Sequence, residues 1–120
     1  KESQLKMNLV RALKVQAIIF EENMEYHEAI MDLRRVAELS PANEQEHFER
    51  QIEALEDQIF EQVKKTDSIG EYQEFLKKYP HSPGNSDEAR LWVENRLQIE
   101  KMNKETSLYK SEPEVGMEAR

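Results

Sequence analysis

The chain has no cysteine and, in 120 residues, only three glycines and four prolines. Without thiols it can form no disulfide, no thiolate metal site and no cysteine nucleophile, though the redox compartment stays open. Long apolar runs are absent too, so nothing in it reads as a bilayer-spanning helix, and no signal-peptide pattern is found. Basic residues are in deficit, 17 Lys and Arg against 25 Asp and Glu, for a net charge of −8. A surface of that sign repels phosphates, which argues against nucleic acid or an anionic membrane as partner. Strand signals are also missing: no alternating run of Val, Ile, Thr and aromatics, and no Asn-Gly hairpin turn.

What is there is helix-forming. Glu, Lys, Gln, Leu, Ala and Arg fill the stretches between Pro41, Pro80, Pro83 and Gly84, and these residues lose little side-chain freedom in a helix. The length suits one domain, with a lean core at 38% apolar residues under 35% charged ones. Because the chain opens on Lys1, it is expected to be a piece of a longer protein.

Periodicity predicts an all-α fold of about five helices. The first, over 5–22, aligns Leu9, Leu13, Ala17 and Phe20 on one face. A turn at Asn23, Met24 and Glu25 leads to a second helix over 26–39, whose inward stripe is Tyr26, Ala29, Ile30, Leu33, Val36 and Ala37. Ser40 and Pro41 end it, since the residue before proline avoids the α region. Asn43 with Glu46 suggests a capping box opening a third helix to residue 65, carrying Phe48, Ile52, Leu55, Ile59 and Val63. After a break at Thr66 and Asp67, Ser68 with Glu71 suggests another, opening a fourth helix to residue 79 with Ile69, Tyr72, Phe75 and Leu76 inward. A stiff turn over 80–85 precedes a fifth helix, capped by Asn85 or Ser86. It presents Ala89, Trp92, Val93, Leu97 and Glu100 on one face, with Trp92 as main anchor. From Lys104 the pattern fades toward Pro113 and Gly116, and a flexible tail over 104–120 is expected.

The chain repeats itself. A shift of 39 residues lays Pro41 on Pro80, Leu13 on Ile52, Phe20 on Ile59, Met24 on Val63, Ile30 on Ile69, Leu33 on Tyr72, Val36 on Phe75 and Ala37 on Leu76. The unit is helix, turn, helix, proline. It gives a hairpin over 5–41, a second over 43–80 and a capping helix over 86–103. One such hairpin cannot cover its own apolar face, so the units must stack.

The first unit resembles a tetratricopeptide repeat, on Ala12-Leu13, Ala17, Phe20, Tyr26, Ala29-Ile30, Leu33 and Ala37-Glu38-Leu39-Ser40-Pro41. It departs from that pattern at Gln16, usually apolar, and at Met24, usually glycine. The second unit departs at Glu56, in place of a small residue, and at Ser68. The run from Tyr72 to Pro83, followed by Asp87-Glu88-Ala89-Arg90, is similar to helical repeats of bacterial envelope proteins, including outer-membrane assembly lipoproteins. The resemblance implies antiparallel hairpins in a right-handed superhelix, with a concave groove for a protein or peptide partner. Carried onto this chain, the groove positions are Arg11, Lys14, Ile18, Glu21 and Glu22, then Arg50, Glu53, Asp57, Phe60 and Glu61. Ile18 and Phe60 lie off the main apolar stripes and admit two readings, burial against the neighbouring hairpin or contact with a partner.

Catalytic patterns are not found. His27, His47 and His81 show no metal-ligand spacing, and there is no phosphate loop or nucleophile elbow. Lys64-Lys65 and Lys77-Lys78 sit near helix C-termini, where the helix dipole accounts for them. The five methionines are scattered. No cofactor, metal or enzymatic activity is expected. The expected role is a non-catalytic interaction or scaffold module of a larger bacterial protein. The alternative is a positioning segment of an envelope assembly with no separate ligand. The envelope likeness favours the periplasmic side over the cytoplasm. A monomer is expected. The competitor is a coiled-coil homodimer through Phe48, Ile52, Leu55, Ile59 and Gln62.

Overall fold

A computed structural model describes residues 2–118, with side chains over 2–106. Among the described residues the chain is all-helical, with five α-helices and no strand: α1 (Glu2–Glu22), α2 (Tyr26–Leu39), α3 (Gln45–Thr66), α4 (Ile69–Lys78) and α5 (Asn85–Glu118), with a 3-10 turn at Ala42–Glu44.

Proline, glycine and left-handed residues set the breaks. α1 ends in a Schellman motif: Glu25 N–H donates to the Phe20 carbonyl at 2.8 Å and Met24 N–H to that of Glu21 at 3.0 Å. Met24 adopts the left-handed φ of 62° that this motif requires. The α2 terminus is closed by side chains. Ser40 Oγ donates to the Val36 carbonyl at 2.6 Å, and Gln45 Nε2 donates to the carbonyls of Ala37 and Ser40. Asn43 does not cap α3, contrary to the capping-box reading. Pro41 directs the chain into the 3-10 turn instead, so Glu44 takes the cap position and makes no side-chain cap bond. The Ser68 cap is present, its Oγ accepting from Glu71 N–H at 3.4 Å. At α5 the helix begins at Asn85 after Gly84 at φ 75°. Ser86 lies inside it and ties down the preceding turn: Ser82 N–H donates to its Oγ at 2.8 Å, and that Oγ donates to the Tyr79 carbonyl.

α1 and α2 fold back on each other, α3 packs on the other flank of α2, and α4 packs on α5. The core is one seam: Ala17 of α1, Ala29, Ile30, Leu33, Val36 and Ala37 of α2, Phe48, Leu55, Phe60 and Val63 of α3, then Tyr72, Phe75, Tyr79 and Ala89. The α2 and α3 stripes match the sequence reading. Three outer positions do not. Leu9 is exposed and Val10 packs in its place, because the inward face of α1 is centred on Val10, Leu13 and Ala17. Leu97 and Glu100 are exposed because α5 runs antiparallel to α4, with Trp92 on Tyr72 and Arg96 on Asp67, and α4 begins only at Ile69, so α5 has outrun it by that point.

α5 also runs past the expected boundary at residue 103, continuing through 104–118. Between Asn103 and Glu112 no glycine or proline stops it, and Lys and Glu sustain the ladder. Pro113 lies inside that helix, where it removes one backbone donor. Residues 119–120 of the expected tail lie outside the described residues. The radius of gyration is 22.8 Å, against about 14 Å for a compact chain of this length. The shape is long and thin, so a lean core suffices.

Candidate functional site

α1 and α3 both lean on α2, and the space between them is an open cleft of about 490 Å³. Its floor is apolar and buried: Ala17, Leu33, Phe48 and Leu55. One wall is Lys14, Ile18 and Glu21 of α1. The other is His47, Gln51, Ala54 and Gln58 of α3, with Glu44 at the end. Ile18 stands 55% exposed on that wall, an apolar side chain no neighbouring helix covers. Lys14 Nζ sits 5.5 Å from the Phe48 ring centroid, and the His47 ring meets the same Phe48 edge-on at 5.2 Å. A cation and an imidazole thus flank one aromatic at the bottom of the cleft.

Of the groove residues carried over from the repeat resemblance, Lys14, Ile18 and Glu21 line this cleft. Arg11 borders a second depression with Met7, Val10, Leu39 and Pro41, and Glu22 borders a third with Tyr26 and Gln58. The five α3 positions do not line it. Phe60 is core, 1% exposed, meeting Tyr72 edge-on at 5.9 Å and Phe75 at 5.0 Å. Asp57 accepts from Asn85 Nδ2 at 2.7 Å, and Glu61 pairs with Lys64 at 2.8 Å. Arg50 pairs with Glu46 on the outside, and Glu53 is exposed.

The physical reason is that a stacked helix has two working faces. Toward the next unit α1 turns Lys14, Ala17, Ile18 and Glu21. The 39-residue equivalents of these on α3, Glu53, Glu56, Asp57 and Phe60, lie on the side of α3 where α4, α5 and the turn between them pack. Toward α1, α3 turns its other face. A signal for that face exists in the sequence: His47, Gln51, Ala54 and Gln58 form an uncharged stripe on a helix otherwise dense in Glu.

A second polar feature was not foreseen. Glu56 is 6% exposed, yet its Oε1 accepts from Ser82 Oγ at 2.7 Å and its Oε2 lies 3.6 Å from Arg34. The Arg34 guanidinium sits 6.0 Å from the Tyr79 ring centroid, and the Tyr79 hydroxyl is hydrogen-bonded to His27 Nδ1. Burial pushes the Tyr79 hydroxyl up to about 12, with Arg34 pulling the other way. This joint ties α2, α3, α4 and the start of α5 together. Its buried polar groups are satisfied by one another.

Trp92 anchors the last helix. It stacks on Tyr72 at 3.8 Å, and Arg96 covers its other side at 4.5 Å while pairing with Asp67 at 2.8 Å. The seam residues Phe48, Leu55 and Ile59, proposed for a coiled-coil dimer, belong to the core or pack on it.

Among the described residues no cluster of three His, Asp or Glu could hold a metal, and no helix is long and apolar enough to cross a membrane. Comparison with protein-family models, curated proteins and solved structures returns no match.

Proposed function

We propose that the chain is a non-catalytic interaction module, a short tetratricopeptide-like stack whose α1/α3 cleft holds an extended or helical segment of a protein partner. The observation that supports this best is the cleft itself, with its apolar floor, an exposed Ile18, and polar groups confined to the rim. That is the arrangement of a binding groove, in which a desolvated centre carries affinity and the rim sets orientation. The rim is mixed, Lys14 against Glu21 and Glu44, so it fits a segment with an apolar anchor flanked by charges of both signs. The acidic surface beyond it speeds encounter with neutral or basic partners and weakens with salt.

Selection of peptides from a random displayed library on the intact chain tests the reading. Selected sequences should share an apolar anchor, and their binding should fall at least tenfold on Ile18→Asp with helical circular dichroism unchanged. Selected peptides that bind Ile18→Asp and the parent equally would place the site elsewhere.

A further inference from the structure

A different face of α1 lies uncovered. Around Ala12, within about 60° on the helix wheel, lie Leu5, Asn8, Leu9, Val15, Gln16 and Ile19, all exposed and none charged. Leu5 is 68% and Val15 57% exposed, high values for large apolar side chains lying in a row. The internal repeat says what this face is for. Shifted by 39 residues, Asn8, Leu9, Ala12, Val15, Gln16 and Ile19 become His47, Phe48, Gln51, Ala54, Leu55 and Gln58. Those are the residues α3 turns toward α1. On α3 the face has a helix beside it, and on α1 it has none.

The occupant is indicated by the stripe's own symmetry. Leu5 and Ile19 stand seven residues either side of Ala12, Asn8 and Gln16 four, Leu9 and Val15 three. A sequence that reads the same outward in both directions from a small central residue fits a copy of itself running antiparallel, with the two backbones close at Ala12. The helix dipoles set the same direction, since an antiparallel pair opposes them and a parallel pair would align them.

We infer that two copies of this chain associate through α1, as an antiparallel helix pair about a two-fold axis at Ala12. Leu5 of each copy then lies beside Ile19 of the other, and the Leu9, Asn8 layer beside the Val15, Gln16 layer. The α1/α3 clefts stay open on the far sides, so the dimer is bivalent. A pair of single four-turn helices is a small interface, so the dimer is concentration-dependent.

The absence of cysteine makes the test clean. In the full chain, Ala12→Cys should form a disulfide dimer under mild oxidation, while Lys14→Cys, exposed on another face of the same helix, should remain mostly monomeric. Mixing Leu5→Cys with Ile19→Cys in equal amounts should give the mixed disulfide well beyond the twofold excess over each homodimer that random pairing produces. Sedimentation equilibrium of the parent should show reversible dimerisation that Val15→Glu abolishes with helical content unchanged. Equal crosslinking at positions 12 and 14, a Leu5→Cys homodimer in excess, or a parent monomeric at every soluble concentration overturns the inference.

Discussion

Met24→Gly should stabilise this protein, although it deletes a large apolar side chain. Met24 occupies the position after the end of α1 where the Schellman motif demands a left-handed backbone, and its φ is 62°. There Cβ crowds the following carbonyl, at about 1–2 kcal/mol for a residue other than glycine. The side chain offsets little of this, since it is 62% exposed and takes no part in the core. Glycine removes the crowding but has more freedom to lose on folding, about 0.5–1 kcal/mol. The difference leaves a net gain of about 0.5–1 kcal/mol, or roughly 2–4 °C in the thermal midpoint for a chain of this size.

Thermal melts followed by circular dichroism read this directly, and two companions isolate the cause. Met24→Ala keeps the Cβ and should gain nothing. Asp67→Gly relieves the same kind of strain at φ 49° but deletes the ion pair with Arg96 at 2.8 Å, so its gain should be smaller or absent. Asp also tolerates the left-handed region better than Met to begin with. If Met24→Gly melts at or below the parent, or Met24→Ala gains as much, the backbone argument is refuted.

Three further outcomes follow from the packing. Phe60→Ala should cost about 3–5 kcal/mol in urea unfolding, as expected for a buried aromatic, and a variant of parental stability would return Phe60 to the surface. Glu56→Ala should cost about 1–3 kcal/mol by leaving Ser82 without its acceptor in a buried site, with Glu56→Gln milder because its amide oxygen keeps that bond. A change within the error of the melt at both positions would show the joint to be idle. The Tyr79 hydroxyl, raised to about 12 by burial, ionises sooner in the unfolded chain than in the folded one. Its contribution is therefore complete below about pH 10 and is lost as pH rises through about 12. Tyr79→Phe should flatten the alkaline fall in stability, and an unchanged slope would contradict the assignment.

Helix existence and most of the seam were legible because they rest on local periodicity and on breakers. Pro41 and Pro80 end α2 and α4 where the sequence places them, and Ser68 caps α4. The α3 wall of the cleft was not read, because one register was applied to both first helices while stacking uses opposite faces for the preceding and the following neighbour. Leu97 misled because periodicity shows a face without saying how far its neighbour extends, and the antiparallel α4 reaches back only to Ile69. Asn43 misled because a capping box is a two-residue pattern, and a proline two positions upstream imposed a different turn.

Glu56 is the position where the repeat pattern calls for a small residue, and its structure explains why a charge is tolerated there. In a compact domain many contacts specify how one hairpin sits on the next. Here the seam between α1–α3 and α4–α5 is thin, and apolar contacts alone are forgiving of a slip along the helix axis. A buried carboxylate is not forgiving. Its acceptor oxygens find Ser82 only when the turn before α5 lies over α3, and its charge finds Arg34 only when α2 lies beside them. A slipped register would leave the carboxylate buried without partners, a state that costs several kcal/mol. The joint therefore contributes less to the depth of the native state than to the penalty on its neighbours. Under the interaction role proposed above, the relative placement of successive hairpins is what a partner would read, and a polar joint fixes that placement where a leaner apolar seam would not.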